Sequence, residues 1–279
     1  MMPFIHIGPL TLASYGLCVG FAMLVSYFVL AKDLQRRVIH APADLLVAVP
    51  CIAGLVGAKL YHVLETPRDL FADPTLLFGR YGFAWFGGFL GALIAFVLLA
   101  RRYRIPLLEI FDAASPAAAL GYGIGRIGCL ISGDGDYGIP TSLPWGMSFP
   151  HGLVPTTQRV HPTPLYELIA AIFIFWWLWK LGGRQARDGL VVAKISGQLA
   201  LNARKQDPSC KSRFPPGDVF AQYLILTGVA RFLVEFIRIN PRSFFGMSNA
   251  QAASLASIVI GLALMWRGRE KGKEILRRV

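Results

Sequence analysis

Charged residues stand inside apolar runs at two places in this chain. Arg126 lies in "GYGIGRIGCLISGDGDYG", and Arg231, Glu235 and Arg238 lie in "ARFLVEFIR". A charge in a bilayer core costs at least ~2.5–3.5 kcal/mol on insertion scales, so residues of this kind need partners or a task. Spacings of four and three put Arg231, Glu235 and Arg238 on one helical face. Glu235 neutralises one arginine, which predicts a net positive stripe. A planar guanidinium fork matches the oxygens of a phosphate. The pattern points to a polar cavity for an anionic, phosphorylated ligand, with Gly125 and Gly128 leaving room beside Arg126. The alternative for Arg126 is a structural ion pair with Asp112 or Glu235. Lys59, in "GAKLYHVLE", sits near one end of its apolar run, where it either snorkels or serves the site.

The elements that hold these residues follow from composition. Of 279 residues, 54% are apolar and 16% are charged, whereas a soluble domain has about a quarter charged. The apolar blocks approach the roughly 20 residues that cross a bilayer as a helix. Spans are predicted at 11–31, 42–64, 81–100, 107–131, 162–180, 218–238 and 249–266. The fold class is therefore an all-α polytopic membrane protein with seven transmembrane helices and a small outward-facing loop head. Residues 1–279 read as a single membrane domain, with the head at 132–160 and a polar cytoplasmic linker at 181–217. Trp145 and Phe149 in the head suit an interfacial aromatic belt.

The net charge of +12 is distributed by topology. Lys32, Arg36, Arg37, Arg101, Arg102, Arg104, the basic residues of 180–213 and those of the tail fall on one side of the predicted spans. Only Arg68, Arg80, Arg159 and Arg242 fall on the other. Basic residues mark the cytoplasmic side, so the N-terminus is expected outside and the C-terminus inside. The charge then meets anionic lipid, and nucleic acid is not an expected partner. "MMPFIHIGPLTLASYGL" has no basic residue before its apolar run and no small-residue cleavage site, so it reads as a retained first span and not a signal peptide.

Several motifs are excluded. "GYGIGRIG" follows no strand, so it is not a dinucleotide loop. "DGDYG" begins like a calcium loop, but the twelfth position from Asp134 is Trp145. His6, His40, His62, His151 and His161 show no metal-ligand spacing. Cys18, Cys51, Cys129 and Cys210 show no CxxC, which argues against a metal site or a disulfide framework. No internal repeat is present, which disfavours a transporter built on inverted halves. Glycines at 54, 57, 87, 88, 91, 121 and 128 let helices approach closely.

Along its length the sequence resembles the prolipoprotein diacylglyceryl transferase family of bacterial inner-membrane enzymes. The resemblance rests on "GPLTLASYGL" with Tyr15, "FGGFLGA", "GRIGCLISGDGDYG", "PWGMSFP", "HPTPLYE" with His161, Tyr166 and Glu167, "ARFLVEFIR" and "SNAQAASL", in the family's order. It implies transfer of a diacylglyceryl group from phosphatidylglycerol to the cysteine thiol of a prolipoprotein lipobox peptide, the first step of lipoprotein maturation. No metal or organic cofactor is implied. The family's essential arginines fall on Arg126 and Arg231, and its following glycine on Gly138; Glu235 and Tyr15 complete the implied substrate-binding set. The chain departs from the family pattern at Cys129, where Asn is usual, and at Thr227, where a tyrosine is usual. The signature is one residue longer before Gly138. Phe86 stands where a histidine proposed as base is usual. Phe86 cannot accept a proton, which leaves His62, Tyr61 or Tyr15 to assist the thiol. The alternatives are a non-catalytic phospholipid-binding relative and, further off, a transporter.

Overall fold

The computed structural model describes residues 2–8, 10–65, 84–202, 215–242 and 246–277. Among them are seven helices: α1 Ser14–Arg36, α2 Ala43–Glu65, α3 Trp85–Arg102, α4 Leu107–Ser132, α5 Thr163–Asn202, α6 Asp218–Val234 and α7 Asn249–Arg277. Each falls on a predicted span. Five of them are long and apolar enough to cross a membrane: α1, α2, α3, α5 as far as Asp188 and α7 as far as Glu270. The other two, α4 and α6, carry Arg126 and Arg231. Large apolar side chains such as Leu55, Leu98, Phe173 and Val259 remain exposed along the helices, as expected of helices whose surroundings are lipid. The protein is an all-α, multi-pass membrane protein.

The chain forms two compact units, residues 1–37 with 111–279 and residues 38–110. In the second unit α2 and α3 meet through glycines. A Cβ on Gly57 would lie 2.5 Å from the Gly87 carbonyl oxygen, and one on Gly91 would lie 2.5 Å from that of Ala53. Backbones this close tolerate no side chain between them.

In the first unit the same device recurs. Gly121 lies against Ser26 of α1, whose hydroxyl donates to the Ala117 carbonyl at 3.2 Å. Gly228 and Gly261 bring α6 and α7 together. Ala119, Ile174, Leu178, Leu181 and Val219 form the apolar core between α4, α5 and α6. At one end a buried carboxylate ties these helices. Asp112 accepts hydrogen bonds from the Gly217 and Phe220 amides at 2.7 and 2.8 Å and from Gln185 Nε2 at 2.8 Å. Gly217 brings no side chain to cap α6, so α4 supplies the acceptor for its free amides. Arg37 Nη1 donates to Gln185 Oε1 at 2.7 Å, and Arg36 stacks over Trp179 at 4.0 Å.

Residues 181–202, within the stretch expected as a polar linker, continue α5 as helix. Leu181, Gln185 and Ala186 are buried, and a stretch rich in Ala, Leu, Arg and Gln propagates a helix once its first turns are packed. Residues 203–214 of that stretch, like Arg68 and Arg80, lie outside the described residues.

At the opposite end the backbone turns to strands. β1 Phe4–Ile7 and β2 Leu10–Ala13 form an antiparallel hairpin before α1, where a helical span had been expected from residue 11. Gly8, at a φ of 59°, supplies the left-handed turn residue that the hairpin needs. The Met2 amide donates to the Ile131 carbonyl at 3.2 Å, which pins the hairpin to the end of α4. The head is more than loops, since β3 Met147–Phe149 pairs with β4 Thr156–Val160. Phe149 is not interfacial: it is buried and stacks on Tyr137. Trp145 stays exposed, and its Nε1 donates to the Tyr166 hydroxyl at 2.9 Å.

Candidate active site

Arg126, Asp136, Glu167, Arg231, Glu235 and Arg238 converge at the end of the first unit where α1 begins and α4 finishes. Arg126 lies in the last turns of α4. The chain then reverses through Gly133 and Gly135, at φ values of 57° and 93°, a conformation that costs glycine little. This returns Asp136 to Arg126, and the two form an ion pair through Oδ2 and Nη1. The other carboxylate oxygen, Oδ1, pairs with Arg238 Nη2.

The backbone of this loop is held independently of those pairs. Thr163 Oγ1 donates to the Asp136 carbonyl. The Gly138 amide donates to the His161 carbonyl and the Ile139 amide to the Ile237 carbonyl, both at 2.8 Å. A Cβ on Gly138 would lie 2.4 Å from the Ile237 oxygen, so only glycine admits the bridge that pairs residues 138 and 238. The structure thus gives Gly138 a packing role that sets the position of Arg238.

Helix α6 ends at Val234, earlier than the span expected to reach residue 238. Arg231 is in its last turn, Glu235 to Ile237 form a turn, and Arg238 sits in the bridge to Gly138. The Glu235 amide still bonds back to the Arg231 carbonyl and the Arg238 amide to that of Glu235, so the three residues stay together through the turn that follows the helix. Arg231 Nη1 lies 2.7 Å from Glu235 Oε2, and Arg238 Nε lies 3.9 Å from the same oxygen. Asn240 Nδ2 donates to Glu235 Oε1 at 2.6 Å.

Glu167 of α5 stands at the centre. Its carboxylate is 3.3 Å from Arg126 Nε, 3.4 Å from Arg231 Nη1 and 3.5 Å from Arg238 Nη1. The Tyr122 hydroxyl donates to it at 2.7 Å, and the Tyr122 ring faces the Arg126 guanidinium at 4.7 Å. Three guanidiniums thus meet three carboxylates. The net positive stripe expected from "RFLVEFIR" is corrected, because Glu167 and Asp136 arrive from other segments and balance it. Arg126 pairs with neither Asp112 nor Glu235 as its expected structural partner; Asp112 caps α6 at the other end. Arg231 Nη1, Glu235 Oε2 and Arg238 Nε are buried and lack well-aligned hydrogen bonds, but they face one another as ion pairs.

The two aspartates of the loop differ electrostatically. Burial pushes the Asp136 carboxyl up, but Arg238 and Arg126 outweigh it and hold the group below the ordinary carboxylate value. Burial raises Asp134, with the Asp136 charge adding to it and a hydrogen bond with the Cys129 thiol opposing. Cys129, Asp134 and Asp136 bring potential metal ligands within 4.8 Å of one another. Arg126 Nη1, however, lies 3.6 Å from Cys129 Sγ and pairs with Asp136, so a guanidinium already provides the positive charge there.

The other anticipated residues divide. A Cβ on Gly125 would meet nothing within 4 Å, so space exists beside Arg126; Gly128 instead receives Tyr15 and Cys18 of α1. Tyr15 is therefore next to the site's helix, and its side chain is half exposed. Tyr61 and His62 are on α2, in the second unit. Sequence reasoning missed Asp136, Glu167 and Tyr122 as site members, and it had Arg238 only as part of the charged stripe. The signal for Glu167 was a lone carboxylate opening the apolar run "PLYELIAAIF"; for Tyr122 it was the four-residue spacing to Arg126.

A family model described as prolipoprotein diacylglyceryl transferase matches residues 3–267. Among curated relatives, a phosphatidylglycerol–prolipoprotein diacylglyceryl transferase of Clostridium tetani is 29% identical, the match covering 91% of this chain and 92% of the relative. Proteins of the same name from Nitrosospira multiformis and Cupriavidus pinatubonensis are 31% and 33% identical; the matches cover 95% and 96% of this chain and 86% and 92% of theirs. With the seven helices in place and both signature arginines in one cluster, the chain belongs to the prolipoprotein diacylglyceryl transferase family.

Proposed function

We propose that the protein transfers a diacylglyceryl group from phosphatidylglycerol to the cysteine thiol of a prolipoprotein lipobox, the step that begins bacterial lipoprotein maturation. The observation that carries this reading is the convergence of Arg126, Arg231 and Arg238 on one buried carboxylate. In the reaction the thiol sulfur bonds to the glyceryl carbon, the bond from that carbon to the phosphate oxygen breaks, and glycerol phosphate departs with the electron pair. Negative charge grows on the phosphate side. Fixed guanidiniums in a low-dielectric site stabilise it more in the transition state than in the ground state. Arg126 and Arg231 act as the phosphate clamp, and Glu235 and Glu167 fix their orientation. Gly138 keeps Arg238 in register, and Tyr15 borders the lipid's approach. Proximity to guanidinium groups lowers a thiol's pKa, and His62, Tyr61 and Tyr15 are the candidates to assist the thiol.

Purified full-length protein given phosphatidylglycerol and a synthetic lipobox peptide should yield a thioether-linked diacylglyceryl peptide and free glycerol phosphate. Binding of the lipid with no peptide product would support a non-catalytic lipid-binding relative instead.

We also read residues 1–279 as one membrane domain of the inner membrane, with the arginine cluster and the head on the outer side. Arg36, Arg37, Arg184 and Arg187 gather at the opposite end, as the cytoplasmic bias of basic residues requires. A cysteine introduced at Pro144 should react with an impermeant maleimide on spheroplasts, and one at Arg184 only after permeabilisation. The reverse pattern would invert the topology.

A further inference from the structure

Resting on the phosphate reading of the arginines, we infer that the Asp136 carboxylate holds the place of the phospholipid's phosphodiester and yields it when the lipid enters. Within the ion-pair network three guanidiniums are matched by three carboxylates, Asp136, Glu167 and Glu235. A phosphodiester brought in as a further anion would leave the site with excess negative charge unless one carboxylate withdrew. Glu167 and Glu235 cannot withdraw: their side chains are 3% and 1% exposed, and each is also held by a neutral donor, Tyr122 for the first and Asn240 for the second. Asp136 differs on both counts. Its side chain is 31% exposed, and the hydrogen bonds it accepts among the described residues come from Arg126 and Arg238 alone.

Asp136 also has the right shape. Its two oxygens each take one guanidinium, one from α4 and one from beyond α6, as two non-bridging oxygens of a phosphodiester would. The main chain need not move for the exchange. Thr163 holds the Asp136 carbonyl and the Gly138 amide is bonded to His161, so rotation of the side chain toward solvent suffices. When glycerol phosphate has formed, return of the carboxylate to the arginines displaces it. Asp136 is thus a positioning residue that keeps the arginine pair set between turnovers and speeds product release, at the cost of weaker lipid binding.

The test uses purified full-length protein in detergent, with dihexanoyl phosphatidylglycerol as substrate and sn-glycerol 1-phosphate as product probe. Asp136→Asn keeps the shape and removes the competing charge. Its KM for the lipid should fall roughly tenfold, as expected when a competing charge-assisted contact is lost, and glycerol phosphate should inhibit at correspondingly lower concentration. Asp134→Asn removes a carboxyl of the same loop that forms no ion pair with the arginines, and should shift both constants far less. Weaker or unchanged lipid binding in Asp136→Asn, or an equal shift in Asp134→Asn, overturns the inference. Asp136→Ser serves as a second neutral variant; if neither it nor Asp136→Asn folds, the carboxylate is a structural strut and the inference is likewise overturned. Arg126→Ala measured with the same probes separates the two levels. If it binds glycerol phosphate as the parent does, the phosphate reading itself fails; if it loses binding while Asp136→Asn gains none, only the exchange fails.

Discussion

Replacing Arg126 or Arg231 by alanine should abolish diacylglyceryl transfer while the helices still insert. Removing one donor from a site that stabilises developing negative charge costs about 10²–10³ in rate. The loss here should be larger, because each arginine also orients the others through Glu167. Lysine should rescue poorly. It offers a point charge with rotating donors, and the geometry here asks one planar group to face Glu167 through Nε and Asp136 through Nη1 at once. The measurement is kcat/KM in the peptide assay, beside the thermal midpoint of the same preparations. Near-normal kcat/KM in Arg126→Ala would remove the arginines from the chemistry and reduce the cluster to an ion-pair scaffold.

The second large effect belongs to Glu167→Gln. This carboxylate touches all three arginines and receives the Tyr122 hydroxyl at 2.7 Å. An amide of the same size keeps the volume but leaves three guanidiniums with two carboxylates in a buried setting. Breaking a buried pair by removing one partner costs about 3–5 kcal/mol, so the thermal midpoint should drop sharply and transfer should be lost with it. Tyr122→Phe removes one hydrogen bond to the same oxygen and should cost only about 1 kcal/mol. If Glu167→Gln proved as mild as Tyr122→Phe, Glu167 would not be the hub on which the arginines are built.

Much of the architecture was legible before any coordinates, because in lipid the rules are few. A run of about 20 apolar residues has little alternative to a helix, and each of the seven predicted spans met a helix. Glycines at 57, 87 and 91 announced close packing, and the backbones do meet there. The boundaries were less legible where local pattern and tertiary support disagree. The stretch after Leu181 reads as polar, yet it stays helical, since Leu181, Gln185 and Ala186 are buried where Asp112 and Arg37 meet Gln185. Phe149 reads as interfacial, yet it is core, because the head closes around β3 and β4.

For the site, residue type and spacing determined that Arg126 and Arg231 carry charge within an apolar setting and must be partnered. They also determined that Glu235 sits within reach of Arg231, because four residues on a helix are one turn. The identity of the remaining partners was decided by tertiary structure alone. Asp136 reaches Arg126 only because Gly133 and Gly135 reverse the chain, and it reaches Arg238 only because Gly138 allows backbone pairing across a hundred residues of sequence. Glu167 belongs to a different helix from every arginine it binds. Read along the chain, the arginines of "ARFLVEFIR" carry a surplus charge; folded, three carboxylates match three guanidiniums within the network. Ion pairing depends on distance through space, and at 3 to 4 Å in a low dielectric it overrides any count made along the sequence.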